Sequence, residues 1–176
     1  MRNRKKEIDF LCLHSSSFLL IMMVPSGSKW RKVVDMFFGS YSHNLDNKGR
    51  LVIPSKMRSE IGGRLYILRG YEGSLFVYKE TDFQKLVTAL ENLPYNQRDS
   101  RDVQRIALSS VVELEVDGQN RIQLPTKLLS DYKISRNVVV IGVVNHFEIW
   151  DSQAWEKYLE QNEKDYEAKA ETLPIQ

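Results

Sequence analysis

From about position 40 onward the chain alternates short stretches of period-two hydrophobicity with longer stretches in which apolar residues recur every three to four positions. The first spacing marks a strand with one buried face, the second a helix with one buried stripe. Strands are predicted over residues 65–69 and 74–78, and again over 138–143 and 146–150, all rich in β-branched and aromatic residues. A helix is predicted over 81–92, with Phe83, Leu86, Val87 and Leu90 as its stripe, and another from 151 through 163, with Trp155, Tyr158 and Leu159. Thr81 and Asp151 or Ser152 are the expected caps. Between these segments Leu93-Pro94 ends one helix and residues 98–108 form another, whose Val103, Ile106 and Ala107 are expected to face inward while Arg98, Arg101 and Arg105 face out.

The order of these elements repeats. Leu45-Asp-Asn-Lys-Gly-Arg50-Leu-Val-Ile-Pro54-Ser-Lys56-Met57 aligns with Val116-Asp-Gly-Gln-Asn-Arg121-Ile-Gln-Leu-Pro125-Thr-Lys127-Leu128 at a constant offset of 71. Further on, Tyr78 falls on Trp150 and Phe83 on Trp155 at an offset of 72. Each copy begins with a strand and a polar turn, Asp46 to Gly49 or Asp117 to Asn120, whose Gly, Asn and Asp residues tolerate the backbone of a tight hairpin. A second strand ends at Pro54 or Pro125, and Ser55 or Thr126 is positioned to cap a short helix over 56–61 or 127–132. One copy of about fifty residues buries too little surface to be stable alone, so the two are expected to share a core about a pseudo-two-fold axis.

The chemistry with the clearest pattern is Asp-x-x-x-Arg, present in register in both copies as Asp46 with Arg50 and Asp117 with Arg121. A carboxylate opening a four-residue turn accepts backbone N–H groups and pairs with the Arg across the turn, which fixes the guanidinium as a fork for phosphate or for guanine O6 and N7. The competing reading is an ion pair that only stiffens the hairpin. In the first copy Lys48, Arg50, Lys56 and Arg58 place four cations within eleven residues; the second sets Glu113, Glu115 and Asp117 against Arg121 and Lys127. The charges tip the first copy toward contact with a nucleic acid, through Lys48 and Arg50 foremost and Lys56 and Arg58 beside them, and leave Arg121 of the second copy open between the two readings; Asp46, Gly49 and Asp117 are the residues expected to orient the loops.

These motifs, together with Met36-Phe-Phe-Gly39 ahead of the first copy, resemble the MraZ family over residues 36 to about 160. The resemblance implies an α+β fold: a pseudo-two-fold β-barrel of two tandem βαββα repeats, of the AbrB/SpoVT-like swapped-hairpin type, with flanking helices. It implies a cytoplasmic, nucleoid-associated transcription regulator that binds double-stranded DNA at short direct repeats upstream of cell-division and cell-wall genes, as a ring-like homo-oligomer. It assigns DNA contact to the Asp-x-x-x-Arg region; Gln119-Asn120 in place of Lys48-Gly49 departs from the pattern in the second copy. The alternative is a protein-binding module on the same barrel, antitoxin-like or an assembly factor. The expected organisation is an extension at 1–35, repeats at 36–93 and 110–163, a linker helix at 94–109 and a fraying acidic tail at 164–176.

Charge and composition adjust this outline only at the margins. The formal charge is +2, but residues 1–35 carry +4 and the remainder −2, so any affinity for phosphate must come from a local patch. Those first residues, basic and then apolar from Phe18 to Val24, superficially resemble a signal peptide. Asp9 and His14 interrupt them, no small-x-small cleavage site follows, and the apolar run is too short to span a bilayer. They are expected to be a disordered or mistakenly translated extension, with the protein proper starting at Met36. The single Cys12 and the scattered His14, His43 and His146 offer neither an internal disulfide nor zinc-type spacing. No metal, cofactor, membrane or small-molecule substrate is expected. Phosphate-binding loops, nucleophile elbows and His-Glu-x-x-His helices are missing from the sequence. A dyad of Asp46 and Asp117 is disfavoured by the Arg beside each, so no enzymatic activity is expected.

Overall fold

The computed structural model describes residues 36–174; the expectations for residues 1–35, Cys12 and His14 among them, lie outside the described residues. Eight strands and five α-helices follow in chain order: β1 (Ser40–Asn44), β2 (Arg50–Val52), a 3-10 turn (Ser55–Glu60), β3 (Arg64–Arg69), β4 (Leu75–Lys79), α1 (Glu80–Glu91), α2 (Arg98–Ser109), β5 (Val112–Glu115), β6 (Arg121–Gln123), α3 (Thr126–Asp131), β7 (Asn137–Val143), β8 (His146–Asp151), α4 (Ser152–Asn162), a 3-10 turn (Glu163–Asp165) and α5 (Tyr166–Thr172). The mixed α+β class is the one expected from the sequence.

Pairing crosses between the two halves. Six antiparallel strands run in the order β1-β7-β8-β4-β3-β5, and β2 pairs with β6 in a separate two-stranded ribbon. Each repeat's first strand thus lies beside the hairpin of the other repeat: Ser40 faces Ile141, and Arg64 faces Glu115. Exchanging the two repeats leaves the order unchanged, with β4 and β8 paired at the centre. The large sheet stays open, its outer edges formed by β1 and β5.

Period-two alternation sets the two faces of that sheet. Leu65, Ile67, Leu75, Val77, Val138, Val140, Phe147 and Ile149 point inward and are fully buried, and the ribbon closes over them with Leu51, Ile53, Ile122 and Leu124. Each such side chain stabilises the fold by about 1.5–3 kcal/mol through burial. On the outer face Tyr66 stacks on Phe83 of α1, and Trp150 packs against Trp155 and Tyr158 of α4. The aromatics at matching repeat positions are packing residues. Ahead of β1, Phe37 is buried edge-on to Phe147 and exchanges two backbone hydrogen bonds with Val144. Gly142 makes this possible: a Cβ there would run into the Phe38 nitrogen and the Phe37 carbonyl carbon.

Several details of the sequence reading are corrected. Ser55 and Thr126 are not caps; Pro54 and Pro125 occupy the capping positions, their fixed φ of −53° and −63° directing the chain into the turn, with no side-chain cap bond. Helix α1 begins at Glu80 directly after β4, so Thr81 is already helical. Asp151 does cap α4, accepting the Gln153 and Ala154 N–H groups. On α2 the contact face was misassigned. Val103 and Ile106 are each 48% exposed, while Ser100 is the buried residue and Gln104 reaches the Leu90 carbonyl at the end of α1. The segment expected to fray is helical as far as Thr172, although no residue of α5 is buried. No helix among the described residues is long and apolar enough to cross a membrane.

Candidate nucleic-acid interface

Both Asp-x-x-x-Arg turns have the same construction. Gly49 N–H donates to the Asp46 carbonyl at 2.9 Å, and Asn120 N–H donates to the Asp117 carbonyl at 2.9 Å. The fourth turn residue is left-handed in each, with φ of +73° at Gly49 and +57° at Asn120. Glycine and asparagine are the residues that enter this region at least cost. The replacement of Gly49 by Asn in the second copy therefore preserves the hairpin.

Within each turn the carboxylate holds the following residues in place. Asp46 Oδ1 accepts the N–H groups of Lys48 and Arg50 at 2.8 and 3.0 Å, while Oδ2 receives Arg50 Nε and Nη2, both at 2.6 Å. Asp117 repeats the pattern with Gln119 and Arg121: 2.9 Å for both N–H groups, then 2.8 and 2.7 Å for Nε and Nη2. The Arg50 side chain holds the Asp46 carboxyl down to about 2, helped by the two backbone donors. Arg121 likewise lowers Asp117. Two carboxylates sharing a proton would push one of them upward, so the geometry is the reverse of a catalytic dyad. In both guanidinium groups Nη1 has no partner among the described residues and remains available as a donor.

The β2–β6 ribbon joins the two turns. Arg50 pairs with Gln123, Leu51 with Ile122 and Val52 with Arg121. Because Leu51 and Ile122 are fully buried, alternation turns Arg50, Val52, Arg121 and Gln123 to the outside. The two arginines stand on a diagonal of this outer face, with Cα atoms roughly 7–8 Å apart. Reciprocal bonds lock the turns to the opposite repeat: Leu124 N–H to the Gly49 carbonyl at 3.1 Å, and Ile53 N–H to the Asn120 carbonyl at 2.9 Å. The result is a two-stranded ribbon with a pre-oriented cation near each end.

A model of the family described as "MraZ protein, putative antitoxin-like" matches the chain twice, over residues 36–106 and 107–174. The chain belongs to the MraZ family. Among its relatives is a protein named transcriptional regulator MraZ from Halothermothrix orenii, 39% identical over 138 residues that span 78% of this chain and 96% of that protein.

The remaining candidates fall unequally around this MraZ ribbon. Lys48 is exposed in the first turn, and Lys56 is exposed one turn beyond Pro54. Arg58 is directed elsewhere: its Nε donates to the Ile53 carbonyl at 2.9 Å. Its charge, after burial, contributes to lowering His43. Lys127, the counterpart of Lys56, is paired with Asp131 at 2.7 Å. Gln123 escaped the sequence reading, although its amide supports the first turn by donating to the Lys48 carbonyl at 2.6 Å. Its signal was the alternation Arg121-Ile-Gln123, which puts it on the face of Arg121. His43 and His146 sit in β1 and β8, and no group of side chains suited to hold a metal occurs among the described residues.

Proposed function

We propose that this chain is a DNA-binding transcriptional regulator that lays the outer face of its β2–β6 ribbon against duplex DNA. The observation that carries the reading is the placement of Arg50 and Arg121, each held by its own aspartate, on one exposed face of a ribbon. A major groove about 12 Å wide admits a two-stranded ribbon, and an Arg whose direction is already fixed loses less entropy on meeting a phosphate or a guanine edge. Lys48 and Lys56 add charge beside the first turn, whereas Arg121 works with fewer cationic neighbours. The relative's name as a transcriptional regulator agrees with this.

The finer parts of the proposal follow from the family resemblance. The crossed pairing of first strands and hairpins supports a swapped-hairpin barrel in which residues 36–93 and 110–163 are the repeats and 94–109 the linker helix. One protomer offers few phosphate contacts, so several, arranged as a ring, would sum them over short direct repeats upstream of cell-division and cell-wall genes in the cytoplasm or nucleoid. The family description also mentions antitoxins, which favours a second reading: the ribbon binds a protein.

Gel shifts on the DNA upstream of its own gene separate these readings. Arg50→Ala is expected to weaken binding by roughly 1–3 kcal/mol, and the dependence of log K on log salt should become shallower by about one. Binding unchanged by the substitution rules out the ribbon as the contact; wild-type affinity for DNA that does not respond to salt rules out phosphate contact altogether.

A further inference from the structure

Among the described residues two surfaces lie open, and each has what the other needs. The first is a groove of about 700 Å³ between α2 and α3. Ile106, Val112, Leu128 and Tyr132 give it an apolar lining, and Arg69, Lys127 and Lys133 stand around it with Asp131 as the acid. Ile106 and Val112 are 48% and 39% exposed, and Val103 continues the apolar strip along α2 from Ile106, three residues away on the same side of the helix. Arg69 lies over the Tyr132 ring at 5.8 Å, which holds its charge at the groove.

The second surface is the C-terminal arm. Leu159 on α4, Tyr166 at the start of α5 and Leu173 directly after its last residue are 39%, 71% and 59% exposed. Tyr166 and Leu173, one at each end of the two-turn α5, are two exposed apolar side chains on a short arm, the kind of surface that gains by lying against another. Around them the arm is acidic: Glu163, Asp165, Glu167 and Glu171 against Lys164 and Lys169. The groove residues thus carry an excess of two positive charges and the arm from 163 to 172 an excess of two negative ones. In its own chain the arm does not line the groove, whose lining residues all fall between Arg69 and Lys133, and no residue of α5 is buried.

We infer that the C-terminal arm of one copy seats Tyr166 of α5 and Leu173 just beyond it in the groove between α2 and α3 of a second copy, so that protomers join head to tail. This rests on the oligomeric reading above and gives it a mechanism. Groove and arm are different surfaces, so every bound copy still has one of each to offer. A contact of this kind propagates, and it ends only when the chain of copies closes into a ring. The ribbon takes no part in the contact and stays free for DNA.

The test uses two full-length variants, the arm variant Tyr166→Asp with Leu173→Asp and the groove variant Ile106→Asp. All three positions are substantially exposed, and circular dichroism with a thermal melt checks that each variant folds as the wild type does. Sedimentation is expected to show a multi-chain wild type and each variant reduced to a single chain of about 20.5 kDa. An equimolar mixture of the two variants should form pairs and nothing larger, because one intact arm then meets one intact groove. Wild-type size in either variant, or no association in the mixture, overturns the inference. A monomeric wild type overturns both it and the oligomeric reading. Arg50→Ala separates the two claims: it should assemble like the wild type, and its failure to bind DNA would leave the docking untouched. If Lys133→Ala weakens DNA binding by the monomeric arm variant while the mixture stays unpaired, the groove binds nucleic acid and the inference falls.

Discussion

Asp46 accepts three hydrogen bonds, two from backbone and one from Arg50 Nε, and is ion-paired with Nη2 of the same guanidinium, and this arrangement makes a measurable claim about protons. Its folded-state carboxyl titrates near 2, below its ordinary value of 3.8, so the turn's ion pair is fully present above about pH 4 and is lost as the pH falls through 2. Carboxyl-detected NMR should place the midpoint of Asp46 near 2 in the wild type. Arg50→Ala should return it toward the ordinary range, because the Arg50 side chain is the largest contributor; a midpoint that stays low would assign the effect to the backbone donors instead. At this scale the sequence was highly informative, since the chemistry of a turn is local: Asp, a left-handed fourth residue and Arg can all be read within five positions. The inequality of the two copies, legible as charge, did not extend to geometry, because Asn120 reaches the same left-handed backbone as Gly49. What could not be read was Gln123 supporting Lys48, since that contact exists only once β2 and β6 have paired.

Among the elements, β7 depends on one residue without a side chain. Gly142→Ala places a methyl group against the backbone of Phe37 and Phe38, and flexible side chains cannot relieve a clash with main chain. The substitution should destabilise the protein by about 1–3 kcal/mol, seen as a lowered melting temperature, and should weaken amide-exchange protection in β1. Gly118→Ala, where a Cβ would meet nothing within 4 Å, is the control and should melt within a few degrees of the wild type. If both variants melt alike, Gly142 does not hold the N-terminal segment against β7. Periodicity located nearly every element, because it reports that a face exists. It does not report what covers the face, and α2 shows the difference: the helix forms where its spacing predicts, yet Ser100 and Gln104 meet the rest of the molecule while Val103 and Ile106 face solvent. The caps at Ser55 and Thr126 failed for a related reason, since the preceding prolines already direct the chain into its turn.

For the molecule as a whole, the repeat announced two halves but not their exchange of strands, because nothing in an alternating pattern says whose hairpin a strand will join. That exchange predicts the behaviour of a half. Residues 36–106 alone contain β1 without β7 and β3 without β5, so the excised repeat should not be a folded monomer. It should either stay unfolded or pair with a second copy of itself in the same strand order. Circular dichroism with sedimentation distinguishes the cases, and a folded monomer would contradict the crossed pairing. The same exchange also sets a clock. Ser40 waits for Ile141, about a hundred residues later, and at 5–20 residues per second a ribosome takes roughly 5–20 s to cover that distance. During those seconds the first strand is an unpaired edge, so its polar sequence, Ser-Tyr-Ser-His-Asn, protects the nascent chain from joining a neighbour before its own partner has been made.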